Sequence, residues 1–561
     1  MGSSSTIVKF SLILALKYLL VANALNNTTN SFSHKADSFP IDTNFIFPSP
    51  LPNWPQGGDF ATGELDLGGL KVQQISEFHK IWSTKGEGPN DAIATFFEPF
   101  IPDGFSMLGS YAQPNNRPLF GWTLVAKAAD NSSDILKQPT DYTLVWSNGN
   151  NSIFNPAYFW LPIPPDGYKS LGLVVTTAPG KPSLDKIKCV RSNFTADAEI
   201  DDWIWGNVYG LRPKIRGAGA QGVSVGTFSL QSDVLSLSCL INTNPNYTTG
   251  KLNGFQMETL FQAYAPYIYF HPKEKYLPSS VEWFFNNGAL LYTKGQESNP
   301  VRVESGGLNL PTGGSDDGLY WLDLPTEDEA EHWVKSGDLL SAEAYVHFKP
   351  VLGGTFTDIQ VWMFYPFNGH AIAKLGFINR MSLGRAGEHV GDWEHVTLHV
   401  SNFDGALCKV YFSQHSGGRW VDITQLQFQS GNRFVWYASR NGHAGNHEAG
   451  TFLQGPGNGV GIRNDWEKSD KVVDTGASFV VVATELEAEV VAEPVWLGYE
   501  RKWGPTKDYD TAAEVRRAKK WLPGELKKAL EGLVKLLDEL FGMEGPTGPK
   551  LKKNWSGDEL I

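Results

Sequence analysis

Cysteine is nearly absent from this 561-residue chain. There are three residues, Cys189, Cys239 and Cys408, far apart and with no CxxC pair. That excludes a disulfide-rich scaffold or a cysteine-built zinc knot, allows at most one disulfide, and makes ordinary buried thiols the expectation. Nucleophile and phosphate motifs are missing as well. No G-x-S-x-G, Walker loop or Rossmann fingerprint stands in a suitable context, and GPGNGVGIRND lacks the flanking strand and helix. Positive charge is in deficit, with 47 basic against 60 acidic residues and a net charge of −13. Nucleic acid and anionic membrane are therefore disfavoured as primary partners. Beyond the first residues, no apolar run is long enough to span a bilayer.

What is present suits a loop-rich β protein: 58 Gly, 33 Pro and 13% aromatic residues. Length suggests two to four domains. At the N-terminus, Lys9 precedes an apolar run that ends in the A-x-A pattern Ala22-Asn23-Ala24, so residues 1–24 read as a signal peptide. N-x-S/T sequons follow at Asn26, Asn27, Asn131, Asn150, Asn193, Asn246 and Asn554, which fits glycosylation along the secretory route. A working leader directs the protein to the secretory pathway, vacuole or exterior. Without one, the cytoplasmic face of endomembranes is the alternative.

Residues 25–44 are polar and read as a flexible spacer. An internal repeat then marks 45–194: PDGFSMLGSYA at 102–112 matches PDGYKSLGLVV at 165–175, each a Pro-Asp-Gly turn feeding a strand. Short strands between them make this an all-β unit. Residues 195–254 are Gly-, Ser- and Asn-rich and read as a connecting segment with a few strands. From 255 to 505, successive strand candidates predict a β-sandwich. Residues 506–561 carry a helix, with Leu526, Leu530, Leu533 and Leu537 at helical spacing, and end in a loop.

The densest polar stretch is GEHVGDWEHVTLHV, residues 387–400. Strand parity puts Val396, Leu398 and Val400 on the core face, with Asp392 and Glu394 in the same row. His395 and His399 fall on the opposite face, where a structural or solvated role is the default. Two carboxylates in a core-facing row need a rim, a counter-charge or a metal. His389 lies across Gly391 and supplies an imidazole. Oxygen-rich ligation with one His favours Ca²⁺, Mg²⁺ or Mn²⁺ over zinc, and HExxH is absent. Ten of the 12 histidines lie between 271 and 447. Asn368, His370, His415, Arg440, His443 and His447 are thus candidates to line one polar cleft, with Trp393 and Trp420 as packing or wall.

YAPYIYFHPKEKYLPSSVEWF, GEHVGDWEHVTLHVSNFDG, QHSGGRW, SRNGHAGNHEAGTF and EGPTGPKLKKNWSGDE together resemble the plant branch of the vacuolar protein sorting-associated protein 62 family, over residues 45–561. That resemblance implies a link to traffic toward the vacuole. The PDG repeat resembles β-prism domains, which implies a β-prism-like fold for 45–194. EHVGDWE is similar to the GHRHDWE heptapeptide of necrosis- and ethylene-inducing proteins, β-sandwich toxins that hold a divalent ion and bind sphingolipid head groups. By that likeness the metal residues would be His389, Asp392 and Glu394, with Asn368 loosely in the place of a fourth ligand. Glu388 and Gly391 depart from the heptapeptide, so cytolytic activity is not carried over.

The expected protein is therefore mostly β and non-enzymatic. It binds membrane lipid head groups or glycans, with a divalent cation at His389, Asp392, Glu394 and Asn368. One alternative is a metal-dependent hydrolase of phosphoesters or glycans, with Glu394 or His395 as general base. Another is a purely structural polar cluster in an interaction scaffold.

Overall fold

The computed structural model describes residues 40–559 apart from 85–92, 131–133, 150–155, 248–251, 415–416, 458, 487–490, 508 and parts of 511–544. The signal-peptide segment lies outside the described residues, as do four of the seven sequon asparagines, Asn26, Asn27, Asn131 and Asn150. The fold is mostly β. Residues 40–44, read as spacer, already belong to it, because Ile41 is buried against Phe97 and Tyr111.

The two Pro-Asp-Gly turns fold alike. Gly104 and Gly167 both take positive φ, 80° and 79°, which an L side chain resists. Each turn feeds a two-residue strand, Ser106–Met107 or Tyr168–Lys169, and then a second strand, Tyr111–Pro114 or Val174–Thr176. The glycines that follow, Gly109 and Gly172, meet face to face. A Cβ on Gly109 would lie 2.9 Å from the Gly172 Cα and 2.6 Å from Thr227 Cγ2.

Thr227 belongs to the stretch read as a connector, and that reading is corrected here. Residues 195–241 form a five-stranded antiparallel sheet built around Thr195–Trp205 and Val208–Pro213. Ile204, Leu211, Phe228 and Leu237 share one core with Trp82, Phe96 and Phe159. Ser-Val-Gly-Thr at 224–227 places this sheet as a third unit against the two repeats. Its glycines serve close packing and turns rather than a linker.

The second region is organised by a six-stranded sheet whose strands we label in chain order: β1 Ala344–Val351, β2 Phe356–Asn368, β3 His389–Ser401, β4 Leu407–Gln414, β5 Gly417–Asp422 and β6 Phe479–Thr484. The order is β5-β4-β3-β2-β1-β6, antiparallel except for the β1–β6 pair. Register along β2 and β3 runs from Phe356 opposite Ser401 to Asn368 opposite His389.

One face of this sheet is the apolar core foreseen from parity, holding Val396, Leu398 and Val400 with Ile359, Val361 and Met363. A helix, Gly254–Tyr264, packs into it through Met257, Leu260, Phe261 and Tyr264. Asn253 and Gln256 close a reciprocal capping box at its start. The other face is covered too. Phe364, Trp393, Trp496 and Trp503 form an aromatic cluster at one end, and the C-terminal tail lies over the middle.

For the expected C-terminal helix, Leu526 and Leu530 are helical. Leu522 and Leu530 pack with Ala373, Leu375 and Ile462, and Leu526 lies against them. Leu533 and Leu537 lie outside the described residues. All three cysteines are free thiols. No helix among the described residues is long and apolar enough to cross a membrane.

Candidate functional site

Asp392 and Glu394 sit side by side in the core-facing row of β3, 8% and 6% exposed. Their counter-charge comes from the loop after Val435–Ala438. His443 is fully buried, stacked on Tyr365 at 3.9 Å, and its Nδ1 lies 3.0 Å from Asp392 Oδ2. Its Nε2 donates to the Tyr276 carbonyl at 2.8 Å. With Asp392 ionised, both ring nitrogens face acceptors. Burial is the largest influence on Asp392 and opposes its charge, but the His443 hydrogen bond and the attraction of His389, His443 and Lys552 together outweigh it and hold the carboxyl below its ordinary value.

Glu394 behaves in the opposite way. Burial, reinforced by the Asp392 charge, pushes it well above the ordinary carboxyl range, although Ser413 donates a hydrogen bond to it. It is therefore a buried neutral acid beside a buried carboxylate, as expected when two like charges share one site. Tyr365, opposite Asp392 in the register, has a buried hydroxyl with no hydrogen-bond partner among the described residues.

The loop carrying His443 is held by a residue not singled out from sequence. Glu274, in HPKEKY, accepts from the backbone N–H groups of Lys275, Tyr276 and Asn441, at 2.8, 2.9 and 2.6 Å. Asn441 and His443 both adopt left-handed backbone, φ 70° and 55°, a conformation that persists only when surrounding bonds enforce it. Its signal was a buried acid in an otherwise basic and aromatic segment.

The remaining candidates separate. His389 is half-buried at the start of β3, its Nδ1 3.2 Å from the Gly391 carbonyl, and burial lowers it to about 4. Asn368 spends its amide nitrogen on the Gly369 and Gly387 carbonyls, at 3.1 and 2.8 Å. His370 lies 3.8 Å from Glu388. His447 pairs with Arg419 at 3.0 Å. Arg440 donates its backbone N–H to Asp465. His415 lies outside the described residues. Trp393 points to the opposite face, buried among Phe364, Trp496 and Trp503, and so does not line this cluster.

Among the described residues, no three His, Cys, Asp or Glu side chains converge as a metal-holding group. A cation at Asp392 would compete with His443 for the same carboxylate.

Of the two defaults for His395 and His399, the structure shows the structural one: both are buried and bonded, not solvated. Glu559, from the C-terminal tail, accepts from His395 Nε2 at 3.1 Å, Gln360 Nε2 at 3.0 Å, Asn554 Nδ2 at 2.8 Å and the Thr397 hydroxyl. Trp555 stacks on His347 at 4.0 Å, and Lys349 donates to the Asn554 and Gly557 carbonyls. Asn554 is thus buried in the fold, and its sequon is not open to a glycan. His399 bonds Asp358 at 2.6 Å and stacks on Phe356. His395 and Glu394, the two general-base candidates, therefore act on opposite faces of the sheet.

A family model described as vacuolar protein sorting-associated protein 62 matches residues 41–559. The chain belongs to this family. A curated relative, vacuolar protein sorting-associated protein 62 of Saccharomyces cerevisiae, is 28% identical over 175 residues, 28% of this chain and 35% of its own. The chain therefore spans about a third of that relative's length. Among solved structures, GNIP1Aa from Chromobacterium piscinae gives a TM-score of 0.27 at 20% identity, covering 35% of this chain and 40% of its own. Necrosis and Ethylene inducing Protein 2, from the causal agent of cocoa's witches' broom disease, gives 0.20 at 13% identity, covering 47% and 79%. NLPPya in complex with glucosamine gives 0.19 at 10%, covering 40% and 72%. These three likenesses are too low to support a functional conclusion.

Proposed function

We propose that this member of the vacuolar protein sorting-associated protein 62 family is a non-enzymatic binding protein of vacuolar and endomembrane sorting, whose ligand is a glycan or a membrane lipid head group. The observation that carries the non-enzymatic part is the closure of the acid cluster. Asp392, Glu394 and His443 are all buried, and each is bonded to a protein partner. A general base needs reach to a substrate proton, and these groups are turned to the protein interior. The family's description supplies the sorting context.

A divalent ion remains part of this reading, as a competitor of His443 for Asp392 with Glu394 and His389 beside it. The test has two arms. Metal-stripped protein is titrated calorimetrically with Ca²⁺, Mg²⁺ and Mn²⁺, alongside Asp392→Ala. A panel of phosphoesters and glycosides is assayed with and without chelator. Binding without turnover supports the proposal. Turnover abolished by chelator and by Glu394→Gln overturns it in favour of the hydrolase. Metal binding that survives Asp392→Ala removes the ion from this position.

A further inference from the structure

A second concavity lies far from the acid cluster, between the first region and the tail-covered face of the central sheet. Its volume is about 530 Å³, within the range of small-ligand sites. Three tryptophans from separate segments line it: Trp122, Trp203 and Trp420. Trp203 is 42% exposed, and its indole N–H is tied to the Gly206 carbonyl at 2.9 Å, which fixes the ring. Trp420 meets His399 and Tyr411 edge-on and carries the Lys409 ammonium 4.6 Å from its ring centre.

The charges of the wall are numerous and mostly matched internally; Lys409, over the Trp420 ring, and Asp202 stand outside the pairing. Arg117 pairs with Asp422 at 3.1 Å, Arg212 with Asp201 at 3.3 Å, and Arg216 with Asp558 at 2.6 Å. His399 faces Asp358 at 2.6 Å. Beyond Lys409, a phosphate or carboxylate ligand would have to take a guanidinium from a carboxylate that already holds it, and the lining carries more aspartates than arginines and lysines. Beyond Asp202, a cation would have to take a carboxylate from its partner. A neutral polyhydroxylated ligand faces no such competition, because hydroxyls both donate to carboxylates and accept from guanidinium N–H groups. Ring-shaped hydroxylated ligands also present an apolar C–H face, and partly exposed indoles supply matching surface with a polar handle.

We propose that this interdomain cleft is a binding site for a neutral saccharide, either a free glycan or the head group of a glycolipid. The proposal rests on the binding-protein reading above and gives it a location and a ligand class. Both halves of the molecule contribute to the wall, so occupancy joins the N-terminal β unit to the central sheet. Asp558 adds the C-terminal tail to the same junction.

The test uses the full chain. Soluble cellotriose, mannotriose and lactose are titrated calorimetrically. Flotation is measured with phosphatidylcholine vesicles that are plain, that carry glucosylceramide, or that carry a phosphatidylinositol phosphate. The same probes are applied to Trp203→Ala and Arg212→Ala, with melting temperatures as the folding control; Trp203 is exposed enough for its loss to leave the fold intact. The expected result is saccharide or glucosylceramide binding that weakens at least tenfold in Trp203→Ala at unchanged melting temperature. Free trisaccharide binding identifies a glycan, and binding confined to glucosylceramide vesicles identifies a head group; both support the site. Saccharide binding untouched by both variants overturns the cleft and leaves the binding-protein reading standing. Preference for the phosphorylated lipid overturns the neutral ligand. No binding to any probe overturns both.

Discussion

Strand β3 carries two polar sets, one on each face, and they are compensated differently. On the core face, Asp392 has one counter-ion, His443, and Glu394 has one donor, Ser413. On the opposite face, the Glu559 carboxylate accepts four hydrogen bonds, from His395, Thr397, Gln360 and Asn554. Both sets are buried. One is saturated, whereas the other keeps a protonated acid and the unpartnered Tyr365 hydroxyl. Burial of polar residues therefore does not by itself mark a functional site; incomplete compensation distinguishes the core-face set, and full compensation marks a structural lock.

Breaking the lock should have the largest effect. Glu559→Gln removes the charge facing His395 and puts an amide against donors. The expected loss is about 3–5 kcal/mol, as for a buried pair deprived of one partner. Urea denaturation measures it, and removal of residues 559–561 should match or exceed it. A loss below about 1 kcal/mol would mean that the tail is only a cover.

Asp392→Asn comes next, with an expected loss of about 1–3 kcal/mol. It is smaller because His443 has a fallback. A neutral ring still donates from Nε2 to Tyr276 and accepts at Nδ1 from the new amide. If Asp392→Asn costs as much as Glu559→Gln, the two faces are equally locked and the contrast fails.

Much of this was legible in the strand pattern, and the failures have one cause. Alternation along 392–400 correctly placed Asp392 and Glu394 in the core row with Val396 and Leu398. The same alternation sent His395 and His399 outward, and they are buried. Parity tells which face a residue occupies, not what covers that face. His395 is covered by Asn554 and Glu559, more than 150 residues away along the chain in a stretch read as a terminal loop, and His399 by Asp358, Phe356 and Trp420. Such long-range closure leaves no local periodicity. The connector at 195–254 was under-read similarly: glycine content suggested a linker with a few strands, but Gly222 and Gly226 let the backbone pack tightly against Pro213 and Trp122. The third unit lacks the Pro-Asp-Gly turn that made the first two visible.

Acid separates the faces further. Glu559 is lowered to about 2: burial opposes its charge, but His395 and the hydrogen bonds prevail. Its stabilisation is complete above its ordinary value of 4.5 and is lost as pH falls from there toward about 2. His389 is lowered by burial from 6.5 to about 4. The unfolded chain binds this proton first, so that contribution is complete above 6.5 and is lost as pH falls from 6.5 to about 4. Glu394 acts in the opposite sense over part of this window, so the readout is the difference: between pH 6.5 and 4 the urea midpoint of His389→Gln should lose less with acid than that of the unaltered chain. Glu559→Gln should change the slope only below 4.5. An unchanged slope in His389→Gln would show that the imidazole is not sheltered.

The smallest effect, and the sharpest test, is Glu394→Gln. Its raised value has the opposite linkage sign to that of Glu559. The protonated form is the stabilising one, so the contribution is complete below the ordinary value of 4.5 and declines as pH rises through the folded value. Glutamine copies the neutral acid and can still accept from Ser413. At pH 5 the substitution should shift stability by less than about 1 kcal/mol, and at pH 8 it should stabilise, because the buried carboxyl no longer resists ionisation. Equal substitutions of two similarly buried glutamates, one on each side of the same sheet, would then differ in sign at pH 8. A loss at Glu394→Gln as large as at Glu559→Gln would mean that Glu394 is ionised in the folded protein. Ionisation there requires a positive charge beyond His443, which the calorimetric titration with Ca²⁺, Mg²⁺ and Mn²⁺ would then have to reveal.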